Sequence, residues 1–158
     1  YAESDGAGDK DNRKSVTGFI VFLLGAPILW RSKAQGSVAL SSTEAEFYAL
    51  SESAKEIKFI VQVLISMGIP VKIPIIVRVD NVGAIFMSEN VSTSSRTKHV
   101  DTRYHFMREF VEEGFVKIIF VRSEENISDP FTKNTPSSIY EKHTAEFVAQ
   151  KEQMLNSD

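Results

Sequence analysis

The sequence has no cysteine, which excludes a disulfide framework and a thiolate zinc site and favours an intracellular setting over a secreted one. Only 8 glycines and 5 prolines occur in 158 residues, which excludes collagen-like and Pro/Gly-rich disordered chains. No hydrophobic run reaches the ~20 residues of a membrane-spanning helix. The longest uncharged stretch, Ser15 to Trp30, is broken by Gly18, Gly25 and Pro27, so no membrane partner is expected. Positive charge is not in excess: 18 basic residues face 21 acidic ones, a formal net charge of −3. That excludes nucleic-acid binding by bulk charge and leaves only a local basic patch. What is present, 42% hydrophobic and 25% charged residues, is the composition of one globular domain. The chain opens on Tyr1 rather than Met, as a piece of something longer would.

The patterning predicts a mixed α/β fold. Val16–Leu24 and Ile28–Lys33 are apolar, β-branched or aromatic runs around a Gly25-Ala-Pro27 break, an expected antiparallel hairpin. Ser41-Ser-Thr-Glu-Ala-Glu46 opens a long helix, with Ser41/Glu44 and Thr43/Glu46 both fitting a capping box. The helix runs to Met67 before Gly68 and Pro70, and its second half, with Ile57, Phe59, Ile60, Val61, Val63, Leu64 and Ile65, is expected to be buried against a sheet. A strand over Lys72–Val79 delivers Asp80-Asn81. A short helix over 82–88, a Ser/Thr loop, a helix over 97–113 and a strand over 115–121 follow. A short helix within 123–132 carries Asp129. An antiparallel start followed by α/β alternation predicts a mixed sheet with helices on both faces.

Four acidic positions fall where elements begin or end: the Glu3/Asp5 pair, Glu46, Asp80 and Asp129. Carboxylates gathered from distant segments repel one another unless a cation neutralises them. With no cysteine and only His99, His105 and His143, such a site would be built of hard oxygen ligands suited to Mg²⁺ or Mn²⁺. Two such ions about 3.5–4 Å apart activate a water and stabilise a leaving oxygen in phosphodiester cleavage. Structural roles compete with this reading. Glu46 suits a helix cap, Asp129 a turn begun at Asn126, Asp80 a strand end, and Glu3 with Asp5 a solvated terminus.

Longer motifs point further. Gly8-Asp-Lys-Asp-Asn-Arg-Lys-Ser-Val-Thr-Gly18, Ala39-Leu-Ser-Ser-Thr-Glu-Ala-Glu-Phe-Tyr-Ala-Leu50, Val79-Asp80-Asn81, Ser95-Arg-Thr-Lys-His-Val-Asp-Thr-Arg-Tyr-His105 and Glu124-Glu-Asn-Ile-Ser-Asp-Pro-Phe-Thr-Lys133 occur in that order. Together they resemble the RNase H domain of copia-type retrotransposon Pol polyproteins. The resemblance covers 1–133 as an RNase H-like domain and leaves 134–158 as a linker and charged C-terminal helix or tail. It implies a five-stranded mixed sheet with helices on both faces. The implied activity is hydrolysis of the RNA strand of RNA–DNA hybrids during reverse transcription, by a site holding two Mg²⁺ ions, or Mn²⁺. It also implies Glu46, Asp80 and Asp129 as catalytic carboxylates, with the first carboxylate at the start of the chain and Asp5 in support. The implied partners are the hybrid and the reverse transcriptase domain of the same polyprotein, in a cytoplasmic virus-like particle or the nucleus.

At that start the chain departs from the family pattern Tyr-Ser-Asp-Ala-Asp-Trp-Ala-Gly-Asp. It reads Tyr1-Ala-Glu-Ser-Asp-Gly-Ala-Gly-Asp9, with Glu3 at the place of the first catalytic aspartate and Gly6 at that of the tryptophan. Glutamate is one C–C bond, about 1.5 Å, longer, and a misplacement near 1 Å costs roughly 10²-fold in rate. The alternative function is therefore a catalytically impaired relic, acting only as a hybrid-binding or structural module.

The strongest local positive charge is in 96–108, where Arg96, Lys98, Arg103 and Arg108 face one acid, Asp101. It begins in the hydroxyl-rich Ser94-Ser-Arg-Thr97, a phosphate site if it opens a helix. A solvated helix face is the plain reading. The resemblance favours hybrid contact through Arg13, Lys14, Ser95, Arg96, Thr97, Lys98, His99 and Arg103, with Arg31 and Lys33 in support. Phe47 and Tyr48 are expected in the core rather than as stacking platforms.

Overall fold

The computed structural model describes residues 1–5, 14–89 and 98–155. Its described elements run β1 (Ala2–Ser4), β2 (Val16–Leu23), β3 (Ala26–Ala34), α1 (Ser42–Ser66), β4 (Ile75–Val79), α2 (Val82–Glu89), α3 (Lys98–Glu112), β5 (Val116–Phe120) and α4 (Ser137–Leu155). Two 3₁₀ turns, Ser123–Glu125 and Asp129–Phe131, stand where one short helix was expected. Pro130 explains the division: it has no N–H to give and suits only the first turn of a helical segment.

The expected α/β class holds, but the single five-stranded sheet is not what the hydrogen bonds describe. Strands β1–β2–β3 form an antiparallel sheet, and β4–β5 form a separate parallel pair. β1 lies beside β4, yet it has only three residues in which to build a ladder. The hairpin also turns earlier than expected. Leu24 and Gly25 both have positive φ, 50° and 81°, the backbone of a two-residue turn whose twist matches its strands. Pro27 therefore lies inside β3, opposite Phe22 and next to a register shift. β3 is an edge of its sheet, where a missing N–H is tolerated. β4 starts after Pro74 for the same reason.

Helix α1 starts at the expected place. Ser41 Oγ accepts from the Glu44 N–H at 3.1 Å, and the Glu44 carboxylate accepts from the Leu40 N–H at 2.7 Å. Ser41/Glu44, rather than Thr43/Glu46, forms the cap, and Glu46 is left for another use. The buried stretch of α1 is its first half. Phe47, Leu50 and Ala54 join Ile57 and Val61 in a core completed by Phe19, Val77, Val79, Met107, Phe110, Val116 and Ile118, and Ala45 and Ala49 are buried as well. The second half is buried on one face only, by Ile57 and Val61, whereas Phe59 is 63% and Ile65 61% exposed. Together with Leu24, Ile28, Ile69 and Ile76 this end of α1 borders an open apolar groove of about 610 Å³.

Phe47 and Tyr48 are core residues, as expected. The Phe47 ring stacks on Tyr104 at 4.4 Å. Helix α4 packs against β3, and Lys142 donates to the Glu124 carbonyl at 3.1 Å.

Candidate active site

Glu3 sits in the middle of β1, opposite Gly18 of β2. A Cβ on Gly18 would lie 2.5 Å from Thr132 Cγ2 and 3.0 Å from Phe131 Cβ. The absent side chain is what lets the 129–133 segment close over the strand. Asn126, fully buried, fastens the same segment from the other end. Its Nδ2 donates to the Ala2 carbonyl at 3.2 Å, and its Oδ1 accepts from Ser128 Oγ at 2.6 Å. Asp129 is thereby laid against Glu3.

Glu46, one turn into α1, accepts the Ser4 N–H at Oε1, 2.9 Å away. Asp80 follows β4 and accepts the Ser123 hydroxyl at 2.7 Å. Glu3, Glu46 and Asp129 are all buried, at 2%, 7% and 6% exposure. One oxygen each of Glu3 and Glu46, Oε2 in both, has no hydrogen-bond partner among the described residues. A buried carboxylate oxygen without a partner is costly and asks for a proton or a cation.

The titration behaviour ties these groups into one cluster. Burial pushes Glu3 up to about 9, with the adjacent Asp129 carboxyl adding to the rise and Lys133 opposing it. Burial pushes Glu46 up to about 8; the Ser4 N–H and the Lys133 charge oppose the rise, while the negative charges of Asp80 and Asp129 reinforce it. Glu46 thus lies within electrostatic reach of both aspartates. Glu3 and Asp129 share the Lys133 ammonium, and the charges of Asp80 and Asp129 act on Glu46.

Three features were missed in the sequence. The first is Lys133. Its Nζ lies 3.1 Å from Glu3 Oε1 and pairs also with Asp129 Oδ1, four residues back along the chain. Burial works against its charge, but the Asp129 and Glu3 carboxylates outweigh that and hold its pKa above the usual lysine value. The spacing of an acid and a lysine four apart was a visible signal for it. The second is Gln35, whose Nε2 donates to Ser4 Oγ, Thr17 Oγ1 and the Ala45 carbonyl at 3.0–3.2 Å, bracing β1 against α1 behind Glu46. The third is His143 of α4, fully buried with neither ring nitrogen partnered among the described residues. Burial lowers its pKa and the nearby Asp129 charge opposes that. Nothing in the sequence signalled either of these two.

Asp5 closes the β1–β2 ladder. It donates its N–H to the Val16 carbonyl at 3.2 Å and accepts the Val16 N–H at Oδ1. The donor chemistry of the carboxylates fits a hard divalent cation, and the two orphaned oxygens fit one as well. Among the described residues, however, no three His, Asp or Glu side chains stand together closely enough to hold a metal. Lys133 occupies the space between Glu3 and Asp129.

Of the expected nucleic-acid contacts, Arg13, Ser95, Arg96 and Thr97, and the side chains of Lys98 and His99, lie outside the described residues. Lys14 precedes β2. Arg103 lies 3.7 Å over the Tyr48 ring and 3.7 Å from Glu52. With Arg31, Lys33 and Gln35 it lines a polar cavity of about 210 Å³. Arg31 also pairs with Glu56 at 2.7 Å. Among the described residues no helix is long and apolar enough to cross a membrane.

Fold and site define the chain as an α/β protein that buries acidic side chains from distant segments, Glu3, Glu46 and Asp129. Over 141 residues, 89% of its length, it is 41% identical to the retrovirus-related Pol polyprotein from transposon TNT 1-94 of Nicotiana tabacum. Over 133 residues it is 38% identical to the corresponding polyproteins from transposons RE1 and RE2 of Arabidopsis thaliana. Its homologues over most of its length are thus retrovirus-related Pol polyproteins, in keeping with the copia-type resemblance of its motifs. The chain spans only 9–10% of the length of these relatives. No family model and no solved structure matches it.

Proposed function

We propose that the chain is the ribonuclease H domain of a retrotransposon Pol polyprotein, cutting the RNA strand of RNA–DNA hybrids made by the reverse transcriptase of the same polyprotein. The observation that carries this reading is the cluster itself. Glu3, Glu46 and Asp129 are buried, Asp80 is within charge range of Glu46, and two carboxylate oxygens are left without partners.

In this reading Glu46 and Asp80, with Glu3 and Asp129 beside them, hold Mg²⁺ or Mn²⁺. A divalent ion so placed supplies water activation and stabilisation of the leaving oxygen. The chain's own residues do the rest. The Ser4 N–H fixes the Glu46 carboxylate, Ser123 fixes Asp80, and Asn126 and Gly18 set the position of the Asp129 turn. Basic residues around Arg103 and the start of α3 would grip the hybrid through its phosphates, so binding should weaken as salt rises.

The second reading, a hybrid-binding module of impaired catalysis, is favoured by one observation: Glu3 is the longer acid and is committed to Lys133. Both readings are tested by incubating the purified chain with a labelled RNA–DNA hybrid and Mg²⁺ or Mn²⁺. Cleavage of the RNA strand alone, lost in Asp80→Asn, supports the first. Salt-sensitive binding without cleavage supports the second.

A further inference from the structure

We propose that Gln35 is a positioning residue of the carboxylate site: its side-chain amide sets the Ser4 N–H against α1 and so fixes the direction of the Glu46 carboxylate. The role itself rests on hydrogen bonds. What that direction serves rests on the proposed function.

The Glu46 carboxylate takes its direction from one oxygen. Oε1 accepts from the Ser4 N–H at 2.9 Å, and Oε2 has no partner among the described residues. The charges of Asp80, Asp129 and Lys133 also act on Glu46, but a charge at a distance aims a carboxylate less sharply than a hydrogen bond does. Where the group points therefore depends on how Ser4 of β1 sits against the start of α1. Two bonds from Gln35 Nε2 bear on that placement. One goes to Ser4 Oγ at 3.2 Å, the other to the carbonyl of Ala45, the residue before Glu46, at 3.0 Å. One amide thus grips both the residue that supplies the donor and the helix turn that carries the acceptor.

The third bond goes to Thr17 Oγ1 at 3.1 Å, on the residue directly opposite Ser4 in the β1–β2 ladder. Chemistry fixes which way the amide faces. The Ala45 carbonyl can only accept, and the Ser4 hydroxyl gives its hydrogen to the Asp5 carbonyl at 3.1 Å. The nitrogen, not the oxygen, must face them. Gln35 is itself buried, as are Ser4, Thr17 and Ala45. Its backbone is tied past the end of β3, where its N–H donates to the Ser15 carbonyl at 2.8 Å. An amide anchored at both ends sets the spacing of strand and helix. The Ser4–Glu46 bond can then orient the carboxylate without also holding two elements together.

The experiment follows amide hydrogen exchange of the whole chain by NMR, without nucleic acid, beside hybrid cleavage. Gln35→Met keeps the length of the side chain and removes the donor. Protection of the Ser4 N–H should fall by roughly 10-fold, the scale of one lost hydrogen bond. The Asp5 and Ile20 N–H groups, which donate to the Val16 and Tyr1 carbonyls, should keep theirs, whereas general destabilisation would lower all three together. Thr17→Val, which removes an acceptor that does not lead to Glu46, should leave Ser4 protected. In cleavage, Gln35→Met should lower kcat by roughly 10-fold or more, within the span of a 1 Å misplacement, and leave KM unchanged. Unchanged protection of Ser4 in a folded Gln35→Met would overturn the proposal, and so would a loss shared equally by Asp5 and Ile20. Should Gln35→Met not fold, Ser4→Ala decides, since it keeps the N–H and removes only the hydroxyl that meets Gln35: protection lost at that N–H supports the proposal, protection kept overturns it. A loosened Ser4 N–H in a chain whose wild type cleaves nothing upholds the role of Gln35 and counts against the nuclease. Cleavage by Gln35→Met at the wild-type kcat does the reverse.

Discussion

The Ser4 N–H donates to Glu46 Oε1 at 2.9 Å, joining β1 to the first turns of α1 across 42 residues of sequence. It is a sheet-edge donor turned to hold a carboxylate instead of extending a ladder. Its neighbour Glu3 is buried in the same strand, and the burial of the two carboxylates shows as stored electrostatic cost.

The first prediction concerns pH. Glu3 and Glu46 keep their protons in the fold up to about 9 and 8, against an ordinary 4.5. Between those values the folded chain binds more protons than the unfolded one, so stability is greatest below about 4.5 and falls as pH rises through 8 to 9. Thermal melts without divalent ions should show Tm declining over that window. Mg²⁺, which favours the charged carboxylates, should raise Tm more at pH 9 than at pH 6. A flat profile would contradict the buried cluster.

Glu46→Gln should separate stability from function. The amide keeps the size, can still accept from Ser4, and has no carboxyl whose burial opposes ionisation. At pH 8 without divalent ions, Tm should rise by about 2–4 °C, equivalent to about 1 kcal/mol for a chain of this size. Hybrid cleavage should disappear in the same variant. A lowered Tm would contradict a cost of burying Glu46 as a carboxyl.

How the 129–133 segment is held can be tested at a distance from the acids. Asn126→Ala removes the bond to Ala2 and leaves a buried carbonyl unmet, a loss of about 1–3 kcal/mol. Gly18→Ala drives a methyl group into Thr132 and Phe131. Both variants should melt earlier than wild type and cleave more slowly. Gly18→Ala should lose the larger share of activity for a given loss of Tm, because its displacement falls on the segment bearing Asp129 and Lys133.

Much of this was legible in the sequence, and for a definable reason. The Ser41/Glu44 cap, the Gly68 stop, the strand leading to Asp80 and the core places of Phe47 and Tyr48 are local, set by spacing and side-chain chemistry within a few residues. What was not legible depends on partners far away in the chain. The outer half of α1 reads as buried because it is apolar on most faces, yet only the face bearing Ile57 and Val61 is covered. The one sheet expected from strand order is two hydrogen-bonded sheets, because β1 is too short to carry a ladder on both edges. Lys133 was in plain view within its motif, but its partner Glu3 lies 130 residues away.

Glu3→Asp is expected to speed the reaction. The shorter acid draws back from Lys133 by about one bond length, about 1.5 Å, and restores the family's residue at this place. A gain of roughly 10-fold or more in single-turnover rate is expected, within the roughly 10²-fold span that a 1 Å misplacement covers. An unchanged rate would show that Glu3 is no obstacle to catalysis.

The most direct test of the central claim is strand-specific cleavage. The purified chain is given four labelled substrates with Mg²⁺: an RNA–DNA hybrid, double-stranded RNA, double-stranded DNA and single-stranded RNA. The account predicts cutting of the RNA strand of the hybrid alone, abolished by chelation and by Asp80→Asn. No cleavage of the hybrid under Mg²⁺ or Mn²⁺, or cleavage that survives Asp80→Asn, would contradict it.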